Sequence, residues 1–508
     1  MNLPYNPEDL YHKKISKHFL YRLFFPRNIV LVGASVKTKL DLMAYLTAYK
    51  AFGYGTERLP NIYPVNPKYE GKLLWNRWKF YKDLNSIPEA IDLVICAVKA
   101  PYTPNILREC IEVNAKFLVI FSSGFSEVGK EGQSYSNEVK QILRESNYKS
   151  TRVIGPNCFG PLNSQYNLNF NRTVLKLYSG GFSFCSQSGG FCHRIIEYSE
   201  KRGLGLNFGI SVGNMIDLDI NDFLMFFSMD PKTKVIGFYL ESVQTQEKGR
   251  KFMENLKKVC KKKPVVIFKG GRSEIGSASC KSHTGAIAGA SEIYDSVFKQ
   301  VNALSVKNSE EFFDISYALL HLFPDHLPKG SNACALVPGG GSTVELGDVL
   351  SEEGGLSFPK LSSETQQKLA EMFFEVNTCF RNPIDLGAYG HVPDKITDAL
   401  KLADKEDRID ILIPIFFLSR ITDGPLTYDG FAAAFGRSLG RKFKPKKTDK
   451  IVCLIPIVDR MDEKTITELK GLKKALNKYH ILHFPSLNRL ARSIKNILDY
   501  SQFRKKRS

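Results

Sequence analysis

No apolar run in this chain approaches the roughly 20 residues needed to cross a bilayer, which excludes an integral membrane protein. With 43% apolar residues the composition is that of a globular one. The ten cysteines stand singly, with no Cys-x-x-Cys pair. That argues against a zinc site or any other metal centre and against a disulfide framework, and favours a reducing compartment, the cytoplasm. The first 24 residues lack both a continuous apolar core and a small-residue cleavage site, so they read as an arm of the mature protein. Acidic residues are also in deficit, 52 against 71 basic ones, giving a formal charge of +19. The excess gathers in Lys257-Lys258-Val259-Cys260-Lys261-Lys262-Lys263, in Arg441 to Lys447 and in Arg504 to Arg507. None of these blocks interleaves with aromatics or sits in a nucleic-acid-reading motif, so nucleic acid is the least supported partner. Solvated faces, a polyanionic cofactor or an acidic partner subunit all fit the sign.

At 508 residues the chain is too long for one core, and about three domains are expected. Short runs rich in Val and Ile alternate with longer amphipathic stretches throughout, the pattern of βαβ units and parallel sheets. Three groups separate after the arm at 1–24. The first, 25–154, has runs at Ile29–Val32, Ile62–Val65, Leu93–Ala97 and Phe117–Phe121. The second, 155–322, has runs at Gly181–Cys185, Leu206–Val212, Val235–Leu240 and Val265–Phe268. A Pro/Gly-bearing linker, Phe323–Gly330, leads to the third, 331–508, with runs at Ala333–Val337, Ile411–Pro414 and Ile451–Pro456. The expected fold class is α/β, three consecutive doubly wound domains.

Ligands of open parallel sheets sit beyond the carboxyl ends of the strands. At those places the first group carries Gly33-Ala34-Ser35, Asn66-Pro67, Val98-Lys99-Ala100 and Ser122-Ser123-Gly124-Phe125-Ser126-Glu127. Backbone N–H groups, hydroxyls and one lysine there suit a pyrophosphate-bearing nucleotide. A plain dinucleotide site is disfavoured, because no GxGxxG fingerprint follows Gly33. In the second group Ser186-Gln187-Ser188-Gly189-Gly190 ends a strand and opens a helix. Such a turn is either an anion site or an ordinary N-cap, and the surroundings of Ser186 and Ser188 do not form a serine-hydrolase elbow. Gly155-Pro156-Asn157-Cys158 makes a rigid turn at the domain seam, with Asn157 offering a donor and an acceptor and Cys158 as a lining residue.

Ser282-His283-Thr284-Gly285 follows the small-residue stretch Gly270-Gly271-Arg272 and Gly276-Ser277-Ala278-Ser279. The glycines and serines predict a mobile surface loop carrying His283, whose imidazole is a competent phosphoryl carrier at neutral pH. A helix-start histidine that merely caps or packs is the competing reading. Glu241 directly follows the run Val235–Leu240 and so faces the ligand crevice. A carboxylate there can hold the second ring nitrogen of a phosphorylated histidine.

Taken together, Gly33-Ala34-Ser35, Tyr63-Pro64-Val65-Asn66-Pro67, Ser122-Ser123-Gly124-Phe125, Gly155-Pro156-Asn157-Cys158, Ser186-Gln187-Ser188-Gly189 and Ser282-His283-Thr284-Gly285 resemble the α subunits of the NDP-forming acyl-CoA synthetases. The likeness is greatest to the ADP-forming acetate–CoA ligases and more distant to succinyl-CoA synthetase, and it runs from about Asn28 to Tyr500. The resemblance implies a Rossmann-like CoA-binding domain followed by two flavodoxin-like domains. It implies that coenzyme A is held by Gly33, Ala34, Ser35, Asn66, Pro67, Val98, Lys99, Ser122, Ser123, Gly124 and Phe125. Phosphate and acyl phosphate would sit at Ser186, Gln187, Ser188, Gly189 and Asn157, with His283 and Glu241 catalytic. The implied reaction interconverts acyl-CoA, phosphate and NDP with acid, CoA and NTP. The family's Mg-nucleotide site lies in an ATP-grasp module, for which no stretch is left over here, so an ATP-grasp β subunit is the expected partner. Three features depart from the family: Val36 to Asp41 replaces a glycine-bearing turn after Ser35, Phe191 replaces a smaller residue and would crowd or reshape the acyl pocket, and in the third domain Val337-Pro338-Gly339-Gly340-Gly341-Ser342 stands where the family tends to have Asn-Ala-Gly-Gly-Pro. A non-catalytic CoA- or acyl-CoA-binding subunit that retains the fold is the alternative.

Overall fold

A computed structural model of the chain describes residues 10–36, 60–165, 167–169, 174, 176–284, 291–373, 377–419 and 429–506, without the side chains of 281–284. The altered segment after Val36 and the residues from Gly285 to Gly289 lie outside the described residues. The chain folds into two compact units that part between Lys307 and Asn308.

The first unit holds two large sheets and a small antiparallel pair, Leu73–Leu74 with Trp78–Lys79. In one, β1 (Asn28–Val32), β2 (Asn61–Val65), β3 (Leu93–Cys96), β4 (Phe117–Ile120) and β5 (Arg152–Ile154) are all parallel, in the order β2-β1-β3-β4-β5. Helices cover both faces of such a sheet, so its strands read as unbroken apolar runs; β1, β3 and β4 are buried from end to end. In the other sheet, β6 (Gly160–Asn163), β7 (Ser179–Ser186), β8 (Leu206–Ser211), β9 (Val235–Leu240), β10 (Val265–Lys269) and β11 (Leu304–Val306) lie in the order β11-β10-β9-β7-β8-β6. Only β6 runs antiparallel, against β8. It is too short and too Gly/Pro-rich to register as a strand by pattern. Leaving β6 aside, both sheets share one winding order, whose switch points fall between β1 and β3 and between β7 and β9.

From residue 10 on, the arm packs rather than trails. Leu20, Leu23, Phe24 and Phe25 are buried, and the Phe24 ring stacks on Phe226 at 5.0 Å and lies 4.9 Å from Phe208. Asn163 Nδ2 donates to the Phe24 carbonyl at 2.9 Å, fixing the arm to β6. Burying a phenylalanine side chain contributes roughly 1.5–3 kcal/mol, so these residues join one apolar interior that reaches from β1 to β10.

The second unit carries a third sheet, β12 (Ala333–Val337), β13 (Ile384–Asp385), β14 (Ile411–Phe417), β15 (Ile451–Ile457) and β16 (Leu482–His483), again parallel and in the order β13-β12-β14-β15-β16. The helix Ser309–Leu322, counted with the second domain by sequence, belongs here instead. Its Tyr317, Ala318 and Leu322 join the core of the third sheet. Its Asp314, 1% exposed, takes two hydrogen bonds from Arg489 of the C-terminal helix, at 2.6 and 2.8 Å. The domain break therefore precedes Ser309 and not Phe323. An apolar helix next to a linker has no local mark saying which neighbour it packs on.

Candidate functional site

The carboxyl ends of β1, β3, β4, β7 and β9 open into one cleft of about 1200 Å³ within the first unit. From the first sheet come Gly33, Ser35, Lys99, Ser122, Ser123 and Gly124; from the seam, Asn157, Cys158 and Phe159; from the second sheet, Gln187, Ser188, Gly189, Tyr239, Glu241 and Cys280. Gly33 turns at φ +90°, and a Cβ there would stand 3.1 Å from Val98 Cγ1 and 3.2 Å from the Ala97 carbonyl, so the chain leaves β1 only with glycine. Ser122 Oγ donates to the Val98 carbonyl, tying the loops after β3 and β4 together.

Several residues expected in the site support its wall from behind. Ala34 is buried, and Asn66 holds its carbonyl through an Nδ2 donor at 2.9 Å while capping the turn that begins at Pro67. Val98 packs against Gly33. Phe125 is fully buried in the core of the first sheet. The N–H groups of Gly124 and Phe125 donate to Glu127 Oε1, at 2.8 and 3.2 Å. Glu127 Oε2 accepts from Asn214 Nδ2 at 2.7 Å, which clamps this loop to the turn after β8. That turn is itself locked: Gly213 has φ +52°, and a Cβ on it would meet the Pro156 carbonyl at 2.1 Å. Sequence reasoning had Glu127 as one residue of a loop and missed Asn214. The Gly213-Asn214 pair directly after a strand was the available signal.

In the second sheet, Ser186 is fully buried and donates to the Ser188 carbonyl at 2.7 Å, so its hydroxyl shapes the turn instead of facing a ligand. Ser188 caps the helix Gly189–Arg202, its Oγ accepting from the Phe191 N–H at 3.2 Å. Gly189 and Gly190, the first residues of that helix, line the cleft, and a helix's first turn presents unpaired N–H groups at the positive end of its dipole. Gln187 is 5% exposed and its amide is bonded to the backbone of Glu241 and Ser242. Phe191 does not crowd the pocket. It lies behind the wall, stacked on Tyr239 at 4.6 Å and edge-on to Phe268.

Glu241 is 8% exposed and faces the cleft. Burial first, and then its negative charge, push the Tyr239 phenol and the Cys280 thiol upward. Burial also lowers the Lys269 ammonium beside it. Burial alone pushes the Cys158 thiol up to about 12, so that cysteine lines the cleft as an inert thiol. The stretch expected to form a mobile loop is a helix, Glu274–Thr284. Ser273 accepts from the Gly276 N–H at 3.1 Å to start it, and Ser, Ala and Cys cost little in a helix once it is capped. His283 therefore lies within this helix, not at the start of one. Its side chain is outside the described residues. Cys280, in the same helix, lines the cleft.

Comparison with known proteins agrees with this architecture. Residues 27–163 match the family model of a CoA binding domain, and residues 179–319 that of a succinyl-CoA ligase like flavodoxin domain. The chain is 35% identical over 393 residues to the α subunit of an ADP-forming acetate–CoA ligase II from Pyrococcus furiosus, covering 77% of this chain and 81% of that one. It is 32% identical over 394 residues to an ADP-forming acetate–CoA ligase I from Archaeoglobus fulgidus, covering 78% of this chain but spanning only 54% of the relative. Among solved structures, a dinucleotide-forming acetyl-coenzyme A synthetase 1 from Ca. Korarchaeum cryptofilum, in complex with phosphate and ADP, is similar with a TM-score of 0.79 and 28% identity, covering 96% of this chain and 97% of that one. The 35% identity over most of an α subunit, with both matched domains in order, shows that the chain belongs to the ADP-forming acetate–CoA ligase family of acid–thiol ligases.

Proposed function

We infer that the chain is the α subunit of an ADP-forming acyl-CoA ligase, interconverting acyl-CoA, phosphate and ADP with a small carboxylic acid, CoA and ATP. The observation that carries this is one cleft lined by the Ser122–Gly124 loop, the Ser188–Gly189 helix start and the buried Glu241 carboxylate. Lys99 and the loops at Gly33 and Ser122 hold the CoA phosphates. The Gly189 helix start binds phosphate next to the thioester, where N–H groups fixed in advance stabilise the charge that develops.

A phosphate oxygen attacks the thioester carbonyl and the C–S bond breaks, so that CoA leaves as thiol after taking up a proton and an acyl phosphate remains. An imidazole nitrogen of His283 then attacks phosphorus, and the bond to the acyl oxygen breaks to release the carboxylate. Glu241 accepts the N–H of the other ring nitrogen, which sets the tautomer and steadies the phosphohistidine. ADP attacks the same phosphorus and breaks the P–N bond, giving ATP. That step takes place in a companion subunit, an ATP-grasp β chain carrying the Mg-nucleotide site; the α-subunit name of the Pyrococcus relative supports this division.

The test is to incubate the chain with acetyl-CoA and labelled phosphate. The expected result is release of free CoA thiol together with acid-labile, base-stable label on the protein, the label abolished by His283→Asn. CoA binding without label, for acyl-CoAs of several chain lengths and with the companion subunit present, would establish the non-catalytic alternative instead.

A further inference from the structure

We propose that Gln187 is a positioning residue for Glu241 and not a ligand of phosphate. β7 and β9 run side by side as far as the pair Ser186 and Tyr239. Beyond it the backbone of β7 bends into the helix Gly189–Arg202. The ladder thus ends two residues before Glu241. The Gln187 side chain continues it: Oε1 accepts from the N–H groups of Glu241 and, at 3.1 Å, Ser242, and Nε2 donates to the Ser242 carbonyl at 3.0 Å. Its own backbone N–H donates to the Tyr239 carbonyl at 3.2 Å. One amide therefore behaves as an extra peptide group of the lost strand.

Two consequences follow from the chemistry of an amide. It carries no charge, so it fixes the base of the Glu241 side chain without neutralising the carboxylate, as a lysine or arginine in the same place would. Both acceptor directions of its oxygen are engaged, one N–H goes to the Ser242 carbonyl and the other to Met215 Sδ at 3.8 Å, and the side chain is buried, which leaves nothing for a phosphate oxygen. The role is geometric. A shift of about 1 Å in a group that must meet an imidazole N–H costs roughly a hundredfold in rate.

The proposal rests on the assignment of Glu241 to the phosphohistidine, and its test is a double-mutant cycle on the full chain. Gln187→Met, Glu241→Gln and the pair are compared for the rate of His283 labelling from acetyl-CoA and labelled phosphate. Gln187→Met should slow labelling about 10- to 100-fold while the half-saturating concentrations of CoA and phosphate stay within about twofold. Added to Glu241→Gln, it should slow nothing further, because it acts only through that carboxylate. A raised half-saturating phosphate concentration with an unchanged maximal rate, or full additivity in the pair, would overturn the proposal. A wild-type rate for Glu241→Gln alone would overturn the underlying assignment, a result separable from the first two. Should Gln187→Met fail to fold, Gln187→Asn, with the amide one methylene short, should give the same pattern in weaker form.

Discussion

Removing the Glu127 carboxylate should cripple CoA binding through a loop that the side chain itself never lines. Glu127→Ala leaves the N–H groups of Gly124 and Phe125 without their acceptor and Asn214 with only the longer contact to Ser126 Oγ, at 3.4 Å, across the seam. A hydrogen bond to a charged group contributes about 1.5–3 kcal/mol. Glu127 is only half-buried, so water replaces part of the loss and about 2 kcal/mol of loop ordering remains to be restored when ligand binds. At 1.4 kcal/mol per decade this is roughly a 30-fold rise in the CoA dissociation constant. Glu127→Gln keeps one carbonyl oxygen for both N–H groups, and the Asn214 amide can turn to accept from the new NH₂, so its effect should stay within a few-fold. Calorimetric titration with CoA measures both. Both tryptophans, Trp75 and Trp78, fall in the first unit, and their fluorescence during urea unfolding separates lost affinity from lost fold. Glu127→Ala that is destabilised yet binds CoA as wild type would refute the reasoning, and so would Glu127→Gln as damaging as Glu127→Ala.

Asp217 accepts from Arg152 Nε, at 2.9 and 3.2 Å, and Nη2, at 2.8 Å, and from the Val153 N–H, with its side chain 3% exposed. Asp217→Ala strands that guanidinium at the seam, and the tryptophan-monitored unfolding of the first unit should lose about 3–5 kcal/mol; a loss under about 1 kcal/mol would mean solvent already screens the pair. Burial lowers the Lys263 ammonium to about 8, below its unfolded value, so between pH 8 and about 10.4 the unfolded chain binds the extra proton and folding gains stability as pH rises. The difference in melting temperature between wild type and Lys263→Met should therefore widen in favour of wild type over that window, and a constant difference would show that the amine is not buried as described.

Strands were the most legible part of the sequence, for a plain reason. A parallel strand covered on both faces is apolar along nearly its whole length, as at Ile29–Val32 or Val235–Leu240, and its Val and Ile content separates it from an apolar helix run such as Phe223–Phe227. Glycines where a chain must turn sharply, such as Gly33, were legible for the same kind of reason. What could not be read was which polar group bonds to which. Ser186 and Gln187 carry the donors and acceptors of an anion site, and only the fold directs them to the Ser188 carbonyl and the 241–242 backbone. The clamp between Glu127 and Asn214 joins two domains and leaves no local pattern. The helix Glu274–Thr284 was hidden by composition, since its serines and glycine mark a loop unless the capping serine ahead of them is credited.

The packed arm has a consequence for how this protein comes off the ribosome. Phe24 and Phe25 are made early, but the surface that receives them, Phe208 and Phe226, is synthesised only after the whole first sheet has been threaded out. Until then a sheet with all five strands in hand keeps a greasy flank open to solvent. The nascent chain must therefore wait, or be shielded, before its earliest residues can settle.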